Sequence, residues 1–208
     1  MYAAEVDGRD LTFGLEGSQW NDSMIMYDQE TKTLWTQVFG DAVVGPLKGK
    51  SLRALPSIMT DWQTWRTRYP DSTVAALPLN RHFYKRDYYQ VRGRFVAAIV
   101  TGAKSKAWGL DKLEEKQTIN DDWQGEPIAV IYEKESITVR IFKRTCRSRV
   151  LTFRFEDTRL IDEETKSTWD PITGKALSGP LAGEFLTPLP SLVGYRETYM
   201  KNFPNSYW

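Results

Sequence analysis

The sequence has little with which to build the commoner kinds of reactive centre. It holds one cysteine, Cys146, and one histidine, His82. A lone cysteine closes no disulfide within the chain, and a lone histidine excludes a multi-histidine metal site. No Gly-rich phosphate loop, CxxC pair, HExxH or GxSxG segment occurs. No apolar run approaches the roughly 18 residues of a membrane helix. Neither sign of charge dominates: 28 Lys and Arg against 27 Asp and Glu leave a net charge of +1, which argues against a nucleic-acid specialist. Residues 1–7 carry neither the basic region nor the apolar stretch of a signal peptide.

What the chain does have is a repeat. Residues 28–72 align without a gap onto residues 162–206, and 18 of the 45 positions are identical. The best-preserved blocks are Asp28-x-Glu30-Thr31-Lys32-Thr33-x-Trp35 with Asp162-x-Glu164-Thr165-Lys166-Ser167-x-Trp169, and Gly45-Pro46-Leu47-x-Gly49 with Gly179-Pro180-Leu181-x-Gly183. Upstream, Leu11-Thr12-Phe13 matches Leu151-Thr152-Phe153 at an offset of 140 rather than 134. The first copy therefore carries 6 extra residues between Gly14 and Tyr27. The turn-forming stretch Gly17 to Asp22 is their expected place, as a loop. The chain reads as a first unit, 1–72, a connecting segment, 73–93, and a second unit, 94–208, packed into one compact body. Residues 94–140 have no counterpart in the first unit: either the two units differ, or a segment of about 45 residues belongs ahead of Met1.

Short runs bounded by Gly, Asn and Asp read as strands at 11–15, 23–27 and 34–39, and again at 95–100, 107–110, 127–132, 137–142 and 150–155. A helix is expected over 111–118. Thr60, with Gln63 three residues on, fits a capping box for a helix ending at Pro70. Trp62, Trp65 and Tyr69 then share one face, as Tyr195, Tyr199 and Phe203 do in a helix over 194–203, and both faces are expected to pack into the core. The fold class is α+β: strand-rich, two tandem homologous units, each ending in a short amphipathic helix.

Three features carry chemistry. The twice-occurring Asp-x-Glu-Thr motif sets carboxylates, hydroxyls and an indole in one segment. Across a cleft between the copies, such carboxylates could share a proton or hold a divalent cation. In a hairpin turn, the same residues would bond to backbone instead. The paired Asp-Thr-Gly of aspartic proteases is a different pattern, since Glu and Lys stand here in place of Asp and Gly. The connecting segment mixes Arg81, His82 and Tyr84 with further basic and aromatic residues, the ingredients of single-strand nucleic-acid binding and equally of an exposed linker. A second basic run, Arg140 to Arg149, surrounds Cys146. It would activate that thiol if exposed, although the matching residue Val6 is apolar and points to a buried one.

The combination Leu11-Thr12-Phe13-Gly14, Met26-Tyr27-Asp28-x-Glu30-Thr31, Trp35, Gly45-Pro46-Leu47 and Trp62-x-x-Trp65-Arg66-x-Arg68-x-Pro70 resembles the domain-of-unknown-function family DUF3179. So do Asn120-Asp121, Gly125-x-Pro127-Ile128-Ala129-Val130 and Thr165-x-Ser167-x-Trp169-Asp170. The resemblance implies a mostly prokaryotic family, many members of which carry an export or lipoprotein signal and a Cys-Pro segment before the first Leu-Thr-Phe. Both are absent from this sequence, and an extracytoplasmic location would follow if a signal-bearing start precedes it. Three functional readings stay open. The first is a non-enzymatic ligand-binding or interaction domain, taking a small molecule or a protein at the repeat junction. Its candidate site is Asp28, Glu30, Thr31, Trp35, Arg81, His82, Tyr84, Asp162, Glu164, Thr165 and Trp169. The second is a carboxylate-dependent hydrolase or transferase. The third is a partner-dependent subunit that completes its sheet with another chain.

Overall fold

A computed structural model describes residues 1–74, 91–102, 104–204 and 206. The chain is α+β and strand-rich. The first copy runs β1 (Glu5–Val6), β2 (Arg9–Asp10), β3 (Phe13–Trp20), β4 (Ser23–Asp28), β5 (Leu34–Thr36), β6 (Ala42–Val44) and α1 (Trp62–Arg68). Next come β7 (Phe95–Thr101), β8 (Lys104–Gly109), α2 (Leu110–Lys116), β9 (Thr118–Trp123), β10 (Glu126–Glu133) and β11 (Thr138–Lys143). The second copy follows: β12 (Thr145–Cys146), β13 (Arg149–Val150), β14 (Phe153–Glu156), β15 (Arg159–Asp162), β16 (Thr168–Trp169), β17 (Ala176–Ser178), β18 (Leu192–Tyr195) and α3 (Arg196–Asn202).

The repeat is visible in the topology. Strands β3-β4-β5-β6 form an antiparallel sheet, and β14-β15-β16-β17 form its equivalent; the β1-β2 ribbon recurs as β12-β13. The 6 extra residues of the first copy lie in strand rather than loop. β3 and β4 have 8 and 6 residues where β14 and β15 have 4 and 4. Asn21 and Asp22, both at positive φ, close the longer hairpin. Two consecutive left-handed residues make a turn whose twist matches paired strands, so the hairpin can lengthen without opening.

Residues 95–143, joined by β18, add two more sheets, β18-β7-β8 and β11-β10-β9. Their facing sides form one core, with Phe95, Ala97 and Ile99 from β7 against Ile128, Val130 and Tyr132 from β10. The alternate residues face outward into other cores. Ala129 and Ile131 of β10 join Phe153 and Trp169 of the second copy. Val96 and Ala98 of β7 join Phe39 of the first copy and Tyr199 of α3. Burial on both faces explains why these two strands read as nearly continuous apolar runs.

Three local expectations change. Asp61, not Thr60, caps α1, its side chain accepting from the Thr64 amide at 2.9 Å. The Thr60 hydroxyl is engaged elsewhere, by the Thr138 hydroxyl at 2.8 Å. The helix expected over 194–203 begins only at Arg196, because the open edge of β7 takes up the preceding residues as strand, from Leu192↔Ala98 to Tyr195↔Phe95. The aromatic face of α1 stays outside the core: the helix has no buried residue, and Trp65 and Tyr69 stack on each other with centroids 4.5 Å apart.

Candidate functional site

In the first copy the Asp-x-Glu-Thr motif turns the chain from β4 into β5. Asp28 is fully buried. Its carboxylate accepts from the Thr31 amide at 2.5 Å, the Thr31 hydroxyl at 2.9 Å, the Thr33 amide at 3.2 Å and the Trp35 indole N–H at 2.9 Å. The Thr33 hydroxyl in turn accepts from the Leu47 amide at 3.2 Å. Glu30 reaches back to accept from the Thr12 amide at 2.9 Å. The second copy repeats this bond for bond. Asp162 accepts from Thr165, Ser167 and Trp169, Ser167 accepts from the Leu181 amide, and Glu164 accepts from the Thr152 amide.

Gly45 belongs to the same network. It sits at φ +110, and an added Cβ would lie 2.8 Å from the Cα of Thr33. Both preserved blocks therefore serve one device, in which a buried carboxylate ties a turn to the strand that passes over it. Burial alone would raise the Asp28 carboxyl, but the bonds from Trp35, Thr31 and Thr33 outweigh it and hold the pKa below the ordinary value. Each carboxylate has its donors within its own hairpin, and no hydrogen bond joins the two hairpins among the described residues. No group of three or more His, Cys, Asp or Glu among those residues is placed to hold a metal ion.

A cavity of about 460 Å³ lies elsewhere, between the copies. The first copy supplies Tyr2, Asp41 and Ser51 to it, and the second part of the chain supplies Ile99, Trp123 and Leu189. Tyr2 donates its hydroxyl hydrogen bond to the Val38 carbonyl at 2.5 Å. The Ser51 hydroxyl donates to the Asp41 carboxylate at 2.7 Å. Burial pushes the Asp41 carboxyl above its ordinary pKa, and the Ser51 bond offsets this only in part. Burial raises the Tyr2 phenol as well, and the nearby Asp41 charge adds to it. A second, wider depression of about 920 Å³ opens beside α1, ringed by Arg68, Glu133 and Asp157 among others.

The family model described as "Protein of unknown function (DUF3179)" matches this chain twice, over residues 1–95 and 91–206. The chain belongs to the DUF3179 family. Its two matches coincide with the duplication. No curated protein and no solved structure matches the DUF3179 chain.

Of the residues singled out in this DUF3179 sequence, Asp28, Glu30, Thr31 and Trp35 come together in one turn, and Asp162, Glu164, Thr165 and Trp169 in another. Arg81, His82 and Tyr84 lie outside the described residues. The basic run after β10 disperses. Arg140 is buried and donates to the Ser57 carbonyl at 2.6 Å, Lys143 pairs with Glu126 at 2.7 Å, and Arg147 pairs with Glu184 at 2.5 Å. Cys146 is buried in the second copy's core, where burial pushes its thiol up; Glu184 adds to this and Arg147 opposes it. No helix among the described residues is long and apolar enough to cross a membrane. The cavity residues Tyr2, Asp41 and Ser51 belong to neither preserved block, so the repeat does not single them out. The available signal was where the copies differ: the aligned residues are Phe142, Lys175 and Phe185.

Proposed function

We propose that this DUF3179 chain is a ligand-binding or interaction domain whose site is the cavity between its two units. The units are 1–72 and 94–208, joined by 73–93, each closing on its own short helix. One observation carries the reading: a cavity of about 460 Å³ has walls from both units. That volume falls among small-molecule sites, which span roughly 300–1,000 Å³ and favour such junctions. The site is mainly apolar, with a few polar groups converging at Asp41. The Asp28 and Asp162 carboxylates lie outside it, saturated with donors, which weighs against using them for hydrolysis. The test is a thermal-shift screen of small acids, amines and metal ions on the parent chain and on Ser191→Trp, which places an indole in the wall. Hits that stabilise the parent and lose their effect in the variant are expected. Hits that persist in the variant would sink the reading.

A second reading, a subunit completed by another chain, has one observation in its favour. In the second copy the Asn120 side chain covers the open edge of β14, accepting from the Phe153 amide and donating to the Phe153 carbonyl, both at 2.8 Å. No side-chain amide covers the equivalent Phe13 in this way among the described residues. Sheet edges left open in this manner recruit other strands. Sedimentation of a single monomeric species across the micromolar range would remove this reading.

A further inference from the structure

We propose that the junction cavity takes a ligand bearing a protonated amine, with Asp41 as its counter-ion and an apolar body lying against the β7 wall. The proposal rests on the cavity reading above and names the chemical class of its ligand.

The duplication supplies an internal control. Tyr2 and Phe142 are equivalent, and each ring lies against a glycine at positive φ. A Cβ on Gly40 would meet the Tyr2 ring at 2.8 Å, and one on Gly174 would meet the Phe142 ring at 2.7 Å. Each also makes the equivalent isolated bridge, Tyr2↔Ala54 and Phe142↔Pro188. The packing role therefore needs a ring and no hydroxyl. Asp41↔Ser51 is likewise the counterpart of Lys175↔Phe185, again the same backbone bridge. In the second copy a cation lies over a ring there, with Lys175 Nζ 5.7 Å from the Phe185 centroid. The fold thus accepts either charge at this position, and the backbone does not call for a carboxylate.

In the first copy the carboxylate faces the cavity. None of the ion pairs among the described residues includes Asp41. A half-buried carboxylate with one hydroxyl donor and no cation is left short of compensation. A ligand ammonium supplies both the charge and the missing donors. The Tyr2 and Trp123 rings share that cavity, and aromatic faces attract such a cation. Leu52, Ile99 and Leu189 offer surface for an alkyl or aryl body. Arg53, exposed at the rim, would favour an anion instead, so a carboxylate probe is the informative competitor.

The experiment is calorimetric titration of the full chain at neutral pH with hexylammonium, hexanol and hexanoate. One hexylammonium per chain is expected, bound at least tenfold more tightly than either competitor. Asp41→Asn, which keeps the shape and can still accept from Ser51, should bring hexylammonium down to the level of hexanol. Lys175→Ala should leave the preference intact. In the unmodified chain the preference should also fade as acid protonates Asp41, which needs no variant to fold. Equal binding of the three probes, or an amine preference that survives Asp41→Asn, overturns the proposal. If Ser191→Trp still abolishes binding in that case, the cavity reading stands without it. If Ser191→Trp changes nothing, the cavity reading falls too.

Discussion

Asp28 and Asp162 mark how this chain spends its buried charge. Each carboxylate satisfies backbone amides that the turn cannot pair with carbonyls, together with an indole N–H at 2.9 Å. Removing it strands several buried donors at once, and a stranded donor costs more than the net worth of its bond. Asp28→Ala and Asp162→Ala should each lower unfolding free energy by about 3 kcal/mol in urea titrations, near the upper end of single-residue effects. A loss under about 0.5 kcal/mol, the range of neutral surface changes, would contradict the network. The pH dependence has a definite sign. The Asp28 pKa is lowered in the folded chain from an ordinary 3.8, so below that value the unfolded chain binds more protons. The Asp28 contribution is present above 3.8 and is lost as pH falls through the folded value. The stability gap between parent and Asp28→Asn should therefore narrow in acid. A gap that stays constant down to acid unfolding would show that the charge plays no part. At this scale the sequence was readable as pattern and ambiguous as purpose. Residues alike in both copies hold the shared turn, whereas Tyr2, Asp41 and Ser51 differ from their counterparts and line the cavity.

Elements show the same division. Long strands with clear alternation or apolar runs, β7, β10 and β11, were legible because burial dictates their residues. β15 and β17, of four and three residues, exist through their neighbours and carry too few residues for a period to show. β18 is the clearest case, since Gly194 and Tyr195, read as the start of a helix, become strand where β7 offers an unpaired edge. Helix α1 failed differently: its aromatic stripe has the spacing of a core face yet no residue of the helix is buried. The clamp of Asn120 on Phe153 was invisible for another reason, because a side-chain amide standing in for a strand leaves no periodic trace. Asn120→Ala should cost about 1–3 kcal/mol, the penalty for unpaired groups at a partly buried edge. It should also speed hydrogen exchange at the Phe153 amide while leaving Phe13 unchanged. Unaltered exchange at Phe153 would mean that the clamp does not hold in solution. Gly45→Ala tests the turn that the two preserved blocks share. Its Cβ would press on the Thr33 backbone at 2.8 Å from a left-handed conformation, so about 1–3 kcal/mol should be lost, in the range of strained backbone positions.

At the scale of the whole molecule, helices α1 and α3 each make a contact across the repeat. Arg68 of α1 pairs with Asp170, at the corner after β16. On α3, Tyr199 and the following Phe203 pack with Phe39, at the matching corner after β5, with the Phe39 and Phe203 rings 4.9 Å apart. The extended β3–β4 hairpin adds a further brace, as Asn202 donates to the Asn21 carbonyl at 3.2 Å and Lys201 pairs with Asp22. The repeat in the sequence reveals two copies but not this exchange, because Phe39 has no aromatic counterpart at Thr173 and nothing local says what its ring will meet. We predict that these contacts tie the stability of one copy to that of the other. Phe39→Ala removes a ring that is 5% exposed from a core shared by both, and a change of that kind costs about 3–5 kcal/mol. If the copies were independent, only the first would be weakened. The reciprocal seating instead predicts that amide exchange slows or speeds together at Thr33 and at Ser167, the equivalent turn amides bound to Asp28 and Asp162. Phe39→Ala should therefore lower protection at both positions by the same free energy, within a single unfolding transition. Protection lost at Thr33 and kept at Ser167 would show two bodies that share a chain without sharing a fold.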